Sequence, residues 1–238
     1  VTALLFREDS QLRSCTATVS AINERGGILL DRTVFYATAG GQPGDKGHIA
    51  WDGGEMPIAT TVYDAAKNVV HVPEPNTATP AVGATVMATL DWDNRHRNMR
   101  AHTLMHLLCV SVPFPVTGGA ITEDGGRIDF DIPEGEIPEK AALSERINRL
   151  IAEDHPVSYR WITDAEMEEN QHLIRTMSVK PPMGTGRVRL VLIGENGKVD
   201  IQPCGGTHLQ STGGIGPVTV GKIENKGKIN RRIRVVFA

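Results

Sequence analysis

The pattern of apolar residues changes character once along the chain, at Asp93, and that break constrains the fold more than any other feature. Before it, runs rich in β-branched and aromatic residues alternate with turn-rich segments. The runs are CTATVSAI (15–22), GILLDRTVFY (27–36), MPIATTVY (56–63), NVVHV (68–72) and ATVMATLDW (84–92); ERGG, GGQPGDKG, WDGGE and PEPNTATPAVG separate them. Short strands at close spacing, with no helical run between them, suggest a small barrel. After the break, DNRHRNMRAHTLMHLLCVSV places Met99, His102, Met105, His106 and Cys109 on one helical face. Asp93 or Asn94 is available as its cap, and Pro113 and Pro115 end it.

The rest of the chain mixes elements. RIDFDI (127–132) and PVSYRWI (156–162) read as strands, and a helix from about 139 to 153 is expected to face inward with Ala142, Ile147 and Leu150. DAEMEEN (164–170) reads as a short acidic helix. RVRLVLIG and KVDIQ pair as a hairpin across the Glu195-Asn196-Gly197 turn, and VTVGKIENKGKINRRIRVVF supplies two closing strands. The expected class is α+β: a glycine-rich N-terminal β-barrel at 1–92, then an α+β domain at 93–238 with an antiparallel sheet and a helix that carries two histidines.

Composition narrows the function classes. Of 238 residues, 40% are hydrophobic and 22% charged, which is ordinary for a globular chain. No apolar run is long enough to span a membrane, and the charged start VTALLFREDSQLR is unlike a secretion signal, so a cytoplasmic protein is expected. Three cysteines make no disulfide framework. A formal charge of −3 supplies no global attraction to nucleic acid, so RNA binding would have to come from local basic patches.

Two short motifs carry chemistry. His102 and His106, four apart on a helix, stand one turn apart on one face, a spacing at which two imidazoles can grip one metal ion. Cys204 and His208, in the glycine loop of QPCGGTHLQ, supply a second pair on backbone free to bend around an ion. The histidine pair alone is as compatible with core packing or chance as with a site, and the Cys204/His208 pair alone is a weaker signal still. Together they make a Cys/His₃ set of the kind zinc takes at tetrahedral angles. His48, His71, His155 and His172 have no partner at ligand spacing, and His96 points away from the His102 face. A protease helix of HExxH type needs a glutamate after its first histidine; Thr103 stands there, and that reading fails.

RHRNMRAHTLMHLL (95–108) and CGGTH (204–208) closely resemble the paired motifs of the alanyl-tRNA synthetase editing domain and of the free-standing alanyl-tRNA editing proteins, the AlaX family. DRTVFYATAGGQPGDKG (31–47) resembles that family's N-terminal signature, with Ala37 where a proline is usual, and THLQSTGGIGPVTVGKIE is similar to the family after the cysteine. The likeness covers almost the whole chain, with a shortened stretch between Leu108 and Gly118. The chain is too short to hold an aminoacylation module beside these parts, so it resembles the longer stand-alone editor.

The resemblance implies a hydrolase of mischarged tRNA(Ala), charged chiefly with serine and also with glycine, with zinc held by His102, His106, Cys204 and His208. It implies Thr117, in PVTGGAIT, as the group that senses the substrate side chain, with Thr122 next in line; a turn threonine is the bland alternative. The Gly40-Gly41-Gln42 turn is either plain turn chemistry or, as the resemblance implies, a segment that lies beside the pocket and supports it, with a Gln42 amide able to hydrogen-bond ribose or terminal adenosine. The expected partner is the acceptor end of tRNA(Ala), with no membrane and no obligate protein partner. RHRNMR and the six cations of KIENKGKINRRIR (222–234) mark the expected RNA path. Cys109 reads as a buried core thiol. Two rivals remain: a zinc hydrolase of a small ester or amide, against which the signature across both domains counts, and a non-catalytic RNA-binding module stapled by zinc, against which the lack of Cys-x-x-Cys pairs counts.

Overall fold

The computed structural model describes residues 2–175 and 186–238, and the chain divides into two compact units, Val1–Arg97 and Asn98–Ala238. In the first, β1 (Ala3–Leu4) runs parallel to β4 (Arg32–Thr33). The other strands, β2 (Ser14–Ile22), β3 (Ile28–Leu30), β5 (Gly47–Trp51), β6 (Gly54–Tyr63), β7 (Val69–Pro73) and β8 (Thr85–Leu90), close a barrel in the order β2-β3-β7-β6-β5-β8. Alternation fills it: Val86, Ala88 and Leu90 of β8 join Val19, Ile49 and Met56 inside, while Met87 faces out. The run 27–36 is two short strands rather than one, with Asp31 between them: its N–H donates to the Thr18 carbonyl at 3.0 Å, while its carboxylate accepts the Thr18 N–H at 2.7 Å. β5 lies within a stretch that its glycines make look like turn.

A buried ion pair stands in this unit. Asp45 accepts from the Arg95 guanidinium through both oxygens and from the Tyr36 N–H at 2.6 Å. Arg95 also donates to the Ser10 and Val34 carbonyls, at 3.1 and 2.6 Å, so both charges are fully enclosed yet hydrogen-bonded. Gly44, next to Asp45, has no room for a side chain: a Cβ there would stand 1.9 Å from the Thr61 carbonyl oxygen. At Gly44 the glycine-rich signature is thus a close backbone crossing.

Helix α1 (Trp92–Ser111) starts one residue before the expected caps: the carboxylate of Asp91 accepts the Asn94 N–H at 3.0 Å. In the second unit, β9 (Val116–Thr122), β10 (Gly125–Asp131), β14 (Val218–Asn225) and β15 (Asn230–Phe237) form one antiparallel sheet, ordered β14-β15-β10-β9. Strands β11 (Val157–Thr163), β12 (Arg187–Ile193) and β13 (Asp200–Pro203) form another. Gly126 lets α1 approach β10, since a Cβ there would meet the Met105 sulfur at 2.8 Å. Helix α2 (Lys140–Ala152) buries Leu143, Ile147 and Ile151; Ala142 is exposed and Leu150 half-buried, so the inward face is set by the i, i+4 row through Ile147. Helix α3 (Asp164–Glu169) opens on a capping box between Thr163 and Glu166.

His71 is a satisfied core histidine. Its Nδ1–H donates to the Ile28 carbonyl at 3.0 Å and its Nε2 accepts the Thr33 hydroxyl at 2.8 Å, while burial pulls its pKa down to about 4. Below about pH 6.5 the unfolded chain binds a proton that the folded one refuses, so stability falls as pH falls from about 6.5 to 4. Over that window wild type is expected to lose about 3 kcal/mol relative to His71→Gln, read from paired urea titrations. A constant difference between the two would contradict this account.

Candidate metal centre

Four side chains from two remote stretches of the second unit converge. His102 and His106 sit one turn apart on α1; Cys204 and His208 sit on the loop after β13, and the four potential ligand atoms lie within 4.8 Å of one another. Ring centroids are 5.4 Å apart for His102–His106, 4.3 Å for His102–His208 and 4.6 Å for His106–His208. The Cys204 sulfur is 3.6 Å from His102 Nε2 and 3.4 Å from His208 Nε2. Tetrahedral zinc with ordinary Zn–N and Zn–S bonds places sulfur and nitrogen about 3.6 Å apart, so the set could hold such an ion with little adjustment. Soft thiolate beside imidazole is also the donor chemistry that suits it.

The rings are oriented from behind. The His106 Nδ1–H donates to Asp200 Oδ2 at 2.9 Å, which leaves Nε2 as the ligand atom. Asp200 also accepts from the Gln202 amide at 2.7 Å, and its other oxygen is 3.5 Å from the Arg175 guanidinium. Thr103, the residue that rules out a zinc protease, orients the second ring. Its hydroxyl donates to the Met99 carbonyl at 2.8 Å, so the 3.3 Å approach of His208 Nδ1 is a ring N–H donating to it, and it takes the Leu209 N–H at 3.2 Å as well. Arg189, buried beneath the loop, donates to the Cys204 carbonyl at 3.0 Å and also to the Gly206 carbonyl. The Gly206 N–H points at the sulfur at 3.4 Å.

Electrostatics follows from this packing. Burial would raise the Cys204 thiol, but the His102 and His208 rings outweigh it and hold the thiol well below its ordinary range. Burial and the neighbouring His102 ring hold His208 well below 6.5. Burial opposes protonation of His106 too, yet Asp200 and Cys204 lift it to about 10. A cation entering the set displaces a proton from His106, so its binding weakens as pH falls. His106 and His208 are buried whereas His102 and Cys204 are half-buried, which marks the approachable side.

The other expected residues have surroundings of their own. Thr117 is on β9, where its hydroxyl donates to the Asp129 carbonyl at 3.2 Å and accepts the Asn230 amide at 2.7 Å. Gln42 is fully buried in the first unit, its backbone paired with Ala39. Cys109 is buried, and burial pushes its thiol up to about 12. Several basic residues expected on an RNA path already hold partners within the chain. Arg95 is enclosed with Asp45. Arg100 donates to the Ile215 carbonyl at 2.7 Å and stacks on Phe237. Arg231 holds the hairpin tip through Asn225 and Gly227, Arg232 grips Asp129, and Lys226 and Arg234 share Glu224. Lys222, Lys226 and Lys228 are exposed. Asp200, Gln202 and Arg189 were missed as parts of the site. The signal was there in KVDIQPC: two polar residues two apart in a strand, on one face, leading into the ligand loop.

A family model described as "Threonyl and Alanyl tRNA synthetase second additional domain" matches residues 188–234, and one described as "tRNA synthetases class II (A)" matches residues 6–94. The chain is 36% identical to the Alanyl-tRNA editing protein AlaX-M of Methanosarcina mazei, across 98% of this chain and 95% of that relative. Identity to the Alanyl-tRNA editing protein AlaX-M of Methanosarcina acetivorans is 33%, covering 98% of each. It is also 34% identical to the Alanine–tRNA ligase of Pyrobaculum neutrophilum, across 92% of this chain but 25% of the ligase. Among the described residues no helix is long and apolar enough to cross a membrane.

Asp200→Asn keeps the shape of the His106 partner and removes its charge. It is expected to weaken zinc binding by about 10- to 100-fold in a chelator competition at pH 7.5, with the fold intact by circular dichroism. Unchanged affinity would show that Asp200 does not act through His106.

Proposed function

The chain belongs to the alanyl-tRNA editing protein family, and from that premise we propose that it is a deacylase that clears mischarged tRNA(Ala) in trans, chiefly when charged with serine and also with glycine. The observation that carries the reading is the convergence of His102, His106, Cys204 and His208 on one point. The residue ranges take distinct parts: a glycine-rich N-terminal domain at 1–92 and an editing domain at 93–238.

Hydrolysis of the aminoacyl ester adds a water oxygen to the carbonyl carbon, breaks the bond from that carbon to the ribose oxygen, and leaves a proton on the ribose hydroxyl. Zinc, when bound, supplies a Lewis acid for the carbonyl or the water, provided one coordination position is open. The protein's own residues prepare for this. Asp200 and Thr103 hold His106 and His208 by their far nitrogens, whereas Cys204 is gripped only through its loop. Cys204 is therefore the ligand best placed to loosen, and the half-buried side it shares with His102 is where the ester arrives.

Selectivity needs a polar group that meets the serine hydroxyl, since a pocket that hydrogen-bonds a hydroxyl strands its own partner when alanine takes that place. Thr117 is the candidate, held rigidly by Asn230 and Asp129. Full burial of Gln42 favours support of the glycine-rich loop over a direct bond to ribose.

Purified protein incubated with tRNA(Ala) charged with serine, glycine or alanine, with and without chelator, tests the reading in one assay. Serine and glycine are expected to be released and alanine spared, with chelator stopping release. His106→Ala and Cys204→Ala are expected to lose about 100-fold or more, and Thr117→Val about tenfold on serine with little change in melting temperature. Full activity in metal-free protein would end any catalytic role for zinc. Equal cleavage of serine methyl ester without RNA would make this a small-ester hydrolase instead.

A further inference from the structure

The sheet of β11, β12 and β13 carries Asp200 and Gln202 on the face that meets His106 of α1. Strand register extends that face past the ligand loop. The next row sets Trp161 opposite Arg189, and the last sets Thr163 opposite Arg187. Cover thins along it: Asp200 and Arg189 are buried, Trp161 is half-buried and Arg187 is exposed. The apolar core of this sheet, Met167 with Val188, Leu190 and Leu192, lies on the opposite face. Trp161 is therefore an aromatic ring outside that core, on the side that leads to Cys204.

We propose that Trp161 and Arg187 form the seat for the 3′-terminal nucleobase of the RNA whose ester is offered to the His/Cys cluster; this rests on the deacylase reading above. The Arg187 guanidinium lies 4.1 Å from the Trp161 ring centroid. With the guanidinium stacked over one face of the half-buried indole, the pair gives a base a planar cationic surface to stack on and gives the adjoining phosphate a counter-charge. The reach also fits. The Cys204 N–H donates to the Arg189 carbonyl at 3.1 Å, and Trp161 pairs with Arg189 from the other side. Two strand spacings separate the Trp161 and Cys204 backbones, about 10 Å, comparable to the reach of one nucleoside from its base to an ester on its ribose. Arg189 binds the Cys204 loop through its carbonyls, so seat and ligand loop are fixed to one strand. Stacking reads no sequence; the seat holds any terminal base and sets where the ester falls.

Binding of a short labelled RNA ending in CCA, compared with the same RNA carrying an abasic 3′-terminal nucleotide, tests the seat on zinc-loaded protein without requiring turnover. Wild type is expected to prefer the base-bearing end by about tenfold. Trp161→Ala is expected to erase that preference, and Trp161→Phe to keep most of it. In the deacylation assay Trp161→Ala should raise KM by a similar factor and change kcat less than threefold. Equal binding of both RNAs by wild type, or an equal loss on both in Trp161→Ala, would overturn the proposal. Should Trp161→Ala fail to fold, the wild-type preference and Trp161→Phe decide it. A preserved base preference in a protein that releases no amino acid would sink the deacylase reading and leave the seat; release without base preference would do the reverse.

Discussion

Three imidazoles and a thiol share one small volume, and the second unit is arranged around making that tolerable. Such a set buried without further partners would be an electrostatic conflict, because each ring competes for the same protons and the sulfur prefers to be ionised beside them. The conflict is directed rather than relieved. Asp200 behind His106 and the Thr103 hydroxyl behind His208 accept the Nδ1–H bonds, so both rings turn Nε2 inward toward the Cys204 sulfur. A divalent cation could complete what those groups begin.

The support for each ligand is uneven, and the unevenness has chemical meaning. The helix fixes His102 and His106 by backbone geometry, a strand from the far side fixes Asp200, and the loop after β13 leaves Cys204 to Arg189 and one N–H. A fully rigid tetrahedral shell is a structural site, whereas a shell with one yielding member on its open side can admit a substrate. The same sheet that orients His106 continues outward to Trp161 and Arg187, so the centre and its approach are parts of one surface.

What the sequence disclosed and what it hid divide along range. His102 with His106, and Cys204 with His208, were legible because local geometry fixes their spacing. That Asp200 would reach His106, 94 residues away, depends on the packing of β13 against α1, which no local pattern encodes. Arg95 read as a surface cation because charge is usually solvated; only the folded chain reveals that Asp45 encloses it. Strands β5 and β9 were not assigned from sequence because glycine is both turn former and the residue of close approach; in β5 close approach prevailed, since a Cβ on Gly47 would stand 2.1 Å from the Thr89 carbonyl oxygen. In α2 the true face lay one residue along from the one expected, through Leu143 and Ile151 on either side of Ile147.

All of this turns on whether four side chains can grip one ion. X-ray absorption at the zinc edge of protein loaded with one equivalent measures it directly. The account predicts one sulfur at about 2.3 Å and three nitrogens at about 2.0 Å, with the sulfur shell lost in Cys204→Ser. A first shell of nitrogen and oxygen alone, or no uptake of stoichiometric zinc, would contradict it.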